Sequence, residues 1–240
     1  MPFTFCHPAI VLPLTRSKYL STSALIIGST APDFEYFLRM DMIRSHGHDF
    51  WAIFYFNLPL TLLLYLVFQY IVKVPLIINS SAILQTRFNR LINENINTFS
   101  KSNVLKVSLS ACIGIFSHLL WDSFTHKQGF FEGEFPFLLE TFHFLNKEWI
   151  VFQFLQIWSS ILGGIYIIYF IMKMPSGPIK FKTNFLQFWS IAIIISFFVI
   201  YLRDCQTTGQ FIATSISSGF IGLILSSIIF QIKLNNRQKC

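Results

Sequence analysis

The sequence predicts an all-α, polytopic helical membrane protein, with about five spanning helices and a half-buried or re-entrant helix before them. Three observations predict it. Of the 240 residues, 53% are hydrophobic and only 12% charged, with 29 Phe and a mean hydropathy of +0.57. A soluble domain carries about 25% charged residues, so lipid is the expected solvent. Several uninterrupted apolar runs reach the roughly 20 residues needed to cross a hydrocarbon core. Basic loops then alternate with neutral-to-acidic ones. The length suits one integral-membrane domain over 1–240.

The N-terminal MPFTFCHPAIVLPLTR lacks the basic start and small-residue cleavage site of a signal peptide, and prolines interrupt its apolar part. STSALIIGSTAPDFEYFL, from Ser21, is short, broken by Pro32, and holds Asp33 and Glu35. It is read as the half-buried or re-entrant helix. WAIFYFNLPLTLLLYLVFQYIV, from Trp51, is the first clear span. VSLSACIGIFSHLLWDSF, from Val107, is long enough but carries His118 and Asp122. Three further runs begin at Ile150, at or just before Leu186, and at Phe211. The cysteines Cys6, Cys112, Cys205 and Cys240 show no paired spacing, so neither a thiolate metal site nor a disulfide framework is expected.

The net charge of +7 is distributed by loop. Lys73, Arg87, Arg90, Lys101 and Lys106 stand against Glu94 alone; Glu132, Glu134, Glu140 and Glu148 outnumber Lys127 and Lys147. Lys173, Lys180 and Lys182 follow without an acid, and the tail carries Lys233, Arg237 and Lys239. The positive-inside rule then puts loop 73–106, loop 173–185 and the C-terminus in the cytoplasm. Residues 127–149, 203–210 and the N-terminal fifty face outward. Because the charges sit at span ends and not on one face, nucleic acid is not an expected partner.

SHLLWDSFTH places His118, Asp122 and His126 at intervals of four. On a helix such residues share a face, about 6 Å apart along the axis. Ionisable groups inside a membrane are costly and mark functional sites by default. Any of them singly can be a hydrogen-bonded packing residue; three on one stripe are harder to explain that way. Imidazole with carboxylate suits zinc, iron or manganese. His118 and His126 would be about 12 Å apart on a straight helix. One ion therefore requires a helix break near Thr125 or a shell completed from elsewhere; otherwise two ions share Asp122. The N-terminal segment offers His7, Asp33, and His46 or His48, all threaded to the side where the stripe emerges. His7 could instead cap a turn, Asp33 a helix, and the SHGHD histidines could be solvated. His143, near Trp149, reads as interfacial.

FTFCHPAIVLPL, LSTSALIIGSTAPDFEYFLR, the SH of SHGHD followed by FNLPL, and GIFSHLLWDSFTH resemble, in that order, the bacterial membrane family called domain of unknown function 4184. The resemblance covers roughly the first 165 residues; 166–240 reads as additional generic spans. LQIWSSILGG also resembles the family pattern, although Ile157 stands where a histidine is expected. That family is more distantly similar to inner-membrane proteins described as metal-dependent hydrolases and to zinc phospholipase C. The resemblance implies a helical site with His7, Asp33, His46, His118, Asp122 and His126 as metal ligands. His46 is preferred because His48 lies outside the matching pattern.

The function expected from these features is metal-dependent hydrolysis at the outer face of a bacterial inner membrane. The substrate would be a lipid or envelope-derived ester or phosphoester. A divalent metal, zinc foremost and iron or manganese as alternatives, would lower the pKa of a bound water to about 7. Glu35 is a candidate base or supporting partner, or else a solvated helix residue. Two other classes compete: a transporter or proton/cation relay, and a non-catalytic membrane protein with a structural metal. Polar groups gathered at one end of a span, with no inverted repeat, weigh against transport.

Overall fold

The computed structural model describes residues 3–92, 100–126, 135–179 and 183–237, with side chains as far as residue 232. Glu94, Lys127, Glu132, Glu134, Lys180, Lys182, Lys239 and Cys240, all used in the sequence reading, lie outside the described residues or side chains, as do the side chains of Lys233 and Arg237.

Helix α1 (Pro8–Val11) sits between two 3₁₀ turns, Thr4–Cys6 and Leu12–Arg16. Its first residue is proline, which has no N–H to leave unpaired at a helix start. Helix α2 (Thr22–Gly28) is capped by Ser21, whose hydroxyl accepts from the Ala24 N–H. A 3₁₀ turn, Ala31–Asp33, separates it from α3 (Phe34–Arg39). Pro32 lies in that turn, and the Ser21–Leu38 stretch is consequently a broken pair of seven and six residues. Neither is long enough to cross a bilayer alone.

Among the described residues, five helices are long and apolar enough to cross a membrane: α4 (Ile53–Ile78), α6 (Lys101–Thr125), α7 (Val151–Lys173), α8 (Phe185–Leu202) and the Thr208–Ile232 part of α9 (Thr208–Arg237). A shorter helix, α5 (Ala82–Ile92), lies between the first two. The fold is all-α and membrane-like. Leu162, Ile165 and Ile168 on α7 and Ile194, Phe197 and Phe198 on α8 are each more than half exposed. Such faces suit lipid and would be an aggregation hazard in water. In α4 the turns Ile53–Asn57 and Phe68–Val72 widen to π geometry. Each lies just before a proline, Pro59 or Pro75, whose missing N–H leaves a carbonyl one turn back without its helical partner.

One element was not expected from the sequence, a two-stranded antiparallel hairpin of β1 (Thr141–Phe144) and β2 (Lys147–Ile150). Leu145 and Asn146 both adopt positive φ, 52° and 58°, as a two-residue type I′ turn requires. An asparagine and a leucine in the turn gave no Asn-Gly signal to betray it. His143 pairs with Glu148 in this hairpin, and the Trp149 indole donates to the Phe144 carbonyl.

The chain divides into two compact units. The first comprises 1–33, 46–62 and 98–173. Here α2 and α6 approach to backbone contact at small residues. A Cβ on Gly28 would lie 2.6 Å from the Ala111 carbonyl, and one on Gly114 would lie 2.8 Å from the Ser29 nitrogen. Ser21 N–H donates to the Ser110 hydroxyl across the same seam, the close packing that small residues permit between membrane helices. Ala31, Ile53 and Ile115 form a core beside it, with Leu58 and Leu119 packed on them.

The second unit comprises 34–45, 63–97 and 174–240. Helices α8 and α9 pack through Phe188 on Phe230 (ring centroids 5.3 Å apart) and through the Ser196 hydroxyl, which bonds the Ser218 carbonyl. Glu35 belongs here. It is buried, pairs with Arg39 at 3.2 Å, and accepts from the Ser45 N–H at 3.2 Å. Those contacts make it a clamp on the segment after α3, whereas the sequence offered it as a base, a supporting partner or a solvated helix residue.

Candidate metal centre

Four chain segments of the first unit converge on one polar cluster. His7 comes from the turn before α1, Asp33 from the 3₁₀ turn after α2, and His48 from the loop before α4. His118 and Asp122 come from α6, one turn apart on its inner face. The α2–α6 seam sets the depth at which Asp33 and His118 meet. Gly28 lets the backbone run so close to α6 that the next carbonyl, Ser29 O, accepts from His118 Nδ1 at 2.8 Å. A carbonyl only accepts, so Nδ1 carries the proton and Nε2 faces inward.

The inward atoms of Asp33, His48, His118 and Asp122 all lie within 4.8 Å of one another. His48 Nε2 is 3.3 Å from both Asp33 Oδ1 and Asp122 Oδ2. His118 Nε2 is 3.6 Å and 3.3 Å from the same two oxygens. A tetrahedral zinc with bonds of about 2.0–2.2 Å separates its ligand atoms by about 3.3–3.6 Å. The four nitrogen-to-oxygen contacts therefore have the lengths of ligand–ligand edges in a coordination shell.

Orphaned atoms make the same point. Asp33 Oδ1 and His118 Nε2 are buried without a hydrogen-bond partner of normal geometry among the described residues. Asp33 Oδ2 takes the Thr4 hydroxyl at 2.6 Å, which turns Oδ1 toward the cluster. Lone pairs facing lone pairs in a dry site call for a cation between them, a proton or a metal ion. Asp33, His48, His118 and Asp122 thus form a buried group that could hold a metal ion.

The remaining two histidines flank Asp122 on its other oxygen. His7 donates from Nδ1 to the Thr4 carbonyl at 3.2 Å and presents Nε2 to Asp122 Oδ1 at 3.1 Å. Its ring stacks on His118, centroids 3.9 Å apart, with Trp121 at 5.3 Å. Helix α6 ends at Thr125, and His126 is extended (φ −131°, ψ 145°). This break lets a residue two turns beyond His118 fold back, with Nδ1 3.4 Å from Asp122 Oδ1.

Electrostatics follow from this geometry. Burial and the His118 ring push the His7 pKa down. Burial drives His126 down to about 4. Burial also disfavours a charged His48, but contacts to Asp122 and Asp33 outweigh it and raise its pKa. For Asp33 burial raises the pKa, and the His118 and His48 imidazoles overcome it, holding the carboxyl below its usual range.

The structure brings His7, Asp33, His118, Asp122 and His126 together and leaves His46 outside. His46 is exposed, its Nδ1 3.3 Å from the Tyr55 hydroxyl and its ring against Tyr55 and Phe56. His48 occupies the inner place instead, its side chain 3% exposed. The reason lies in Asn57, fully buried in the π turn of α4, which donates to the Gly47 carbonyl at 2.7 Å and so anchors the loop next to His48. An asparagine inside an apolar span was the available signal, since a buried amide must find a partner.

Residues 1–229 match the family described as Domain of unknown function (DUF4184). The chain belongs to that family. The match extends past the first 165 residues that carry the quoted motifs. No curated protein and no solved structure matches the chain.

Proposed function

We propose that this DUF4184 member is a membrane-embedded, metal-dependent hydrolase acting on a lipid or envelope-derived ester or phosphoester. The carrying observation is the convergence of Asp33, His48, His118 and Asp122 within 4.8 Å of one another, with Asp33 Oδ1 and His118 Nε2 lacking a hydrogen-bond partner among the described residues. A divalent ion, zinc foremost, would supply Lewis acidity and activate water near neutral pH. The protein's part is orientation. Ser29 O and Thr4 hold His118 and Asp33 with their ligand atoms inward. Full burial of His118 and Asp33 excludes bulk water, while the His126 side chain, 18% exposed, leaves one flank open.

A lipid substrate is supported by an apolar groove of about 370 Å³ along α7, lined by Ile10, Trp121, Leu162, Gly163 and Tyr166. Trp121 lines it and also lies against His7. The charge threading favours an outward-facing site in a bacterial inner membrane with a cytoplasmic C-terminus. A non-catalytic, structural metal is the second reading, favoured by the burial of Asp33 and His118.

Detergent-purified protein is expected to contain stoichiometric zinc, iron or manganese and to hydrolyse members of a panel of phospholipid and lipid-ester substrates. Asp122→Ala should abolish both. Retained metal without turnover, together with unfolding on chelation, would select the structural reading. Metal-free but folded wild type would refute both.

A further inference from the structure

We infer that the start of α6 and the tip of the N-terminal segment form a cationic surface for anionic phospholipid headgroups, on the membrane face opposite the polar cluster. The inference stands apart from whether that cluster holds a metal. Its basis is the order in which the N-terminal segment meets α6. His7 lies at Asp122, near the end of that helix. The chain then runs to the other end, where the Lys106 ammonium donates to the Lys18 carbonyl at 2.9 Å. It returns along the same helix. Ser21 N–H donates to the Ser110 hydroxyl, Ser29 O accepts from His118 Nδ1, and Asp33 rejoins the cluster beside His118. Lys106 and Asp122 are about 24 Å apart along a helix axis, and α6 is long enough to span a bilayer. The segment over 3–33 is therefore re-entrant. It enters and leaves on the face of the cluster, and residues 12–20 turn at the far face.

This placement revises the charge threading, which set the whole N-terminal fifty on the face of the cluster. Arg16 and Lys18 join Lys101 and Lys106 at the other end of α6, so the positive-inside pattern gains two cations on its basic side. The Lys106 contact ties together two segments 88 residues apart. Arg16, Lys18 and Lys101 are exposed. None of the four cations pairs with a carboxylate among the described residues. Tyr19 is 71% exposed, with the Lys18 ammonium 5.1 Å from its ring, and Leu105 on α6 is equally exposed at 71%. Cations, a tyrosine and an aliphatic side chain together suit the bilayer edge. The ring sits at headgroup depth, the leucine enters the acyl region, and the ammonium groups meet phosphate. A soluble polyanion would satisfy the charge alone and leave Leu105 in water. Anionic lipid satisfies both, and each cation near such a surface strengthens association about fivefold.

The test uses full-length protein, stripped of lipid in neutral detergent and titrated with phosphatidylglycerol or phosphatidylcholine, with native mass spectrometry counting bound lipids. Phosphatidylglycerol should bind more tightly, by a margin that shrinks as ionic strength rises. Arg16→Gln, Lys18→Gln and Lys101→Gln should each weaken it about fivefold, with phosphatidylcholine binding and melting temperature unchanged. Equal binding of the two lipids, or a preference that survives in the triple variant, overturns the headgroup surface. So does displacement of the lipid by inorganic phosphate at equal concentration, because the patch would then serve a soluble anion. Topology is read in sealed vesicles of uniform orientation with a membrane-impermeant maleimide. Ser17→Cys, at the tip, and Leu145→Cys, in the hairpin between the end of α6 and the start of α7, should label above the wild-type background from opposite sides. Labelling of both from one side overturns the re-entrant tip.

Discussion

At the scale of single residues, the site depends on atoms held in one orientation by a partner outside the cluster. Thr4 is the clearest. Its hydroxyl occupies Asp33 Oδ2 and frees Oδ1. Thr4→Val keeps the shape and removes the donor, so metal affinity should fall about 10–100-fold; competition with a chromophoric chelator measures it. Protonation supplies a second prediction. His7 is depressed below the usual imidazole value and His126 titrates at about 4, so both rings are neutral at pH 7. His48 is raised above the usual imidazole value of 6.5, so at neutral pH an incoming ion competes with its proton. Affinity for Zn²⁺ should therefore strengthen as pH rises from 6.5, by up to about tenfold per pH unit for each proton released, until His48 has lost its proton. Calorimetry in buffers of different ionisation enthalpy counts those protons, and His48→Ala should lower the slope. An unchanged slope in that variant would remove His48 from the shell. Residue types made much of this scale legible, because His118, Asp122 and His126 stand out in an apolar run. The choice between His46 and His48 did not, since it depends on a carbonyl contact to Asn57 that no spacing reveals.

Among elements, the α2–α6 seam positions the site. Asp33 follows α2 and His118 lies on α6, so any gap opened between these helices separates ligands from opposite sides of the shell. Gly114→Leu would place side-chain atoms where the backbone of Leu25 and Ser29 now lies. Overpacking of this kind costs about 1–3 kcal/mol, and here the contact is with backbone, which cannot rotate away. The variant should melt at a lower temperature and lose the metal; a stable variant with wild-type metal content would show that the seam does not set the ligand geometry. The five long helices were legible from apolar length, and the break of Ser21–Leu38 from Pro32. Helix α6 raised a question that its sequence left open, namely how His126 could approach Asp122. The answer is the helix end at Thr125, which nothing local announces, because neither glycine nor proline follows it. The hairpin over Thr141–Ile150 was missed for a similar reason. Its turn uses Leu145 and Asn146 in place of glycine.

For the whole molecule, one DUF4184 chain divides into two compact units, and the described members of the polar cluster belong to the first. The second unit supplies apolar helices, with Glu35, Arg39 and Ser45 linked in its own network. Composition and hydropathy made the membrane character readable from the chain; the division into units was not, because contacts between segments distant in sequence define it. The proposed chemistry requires that Asp33, His48, His118 and Asp122 enclose a divalent ion. The most direct measurement is anomalous diffraction at the zinc edge from crystals of the zinc-loaded protein. A peak is expected within about 2.0–2.2 Å of His48 Nε2, His118 Nε2, Asp33 Oδ1 and Asp122 Oδ2. A fully ordered cluster with no anomalous peak among these atoms, at saturating zinc, would contradict it.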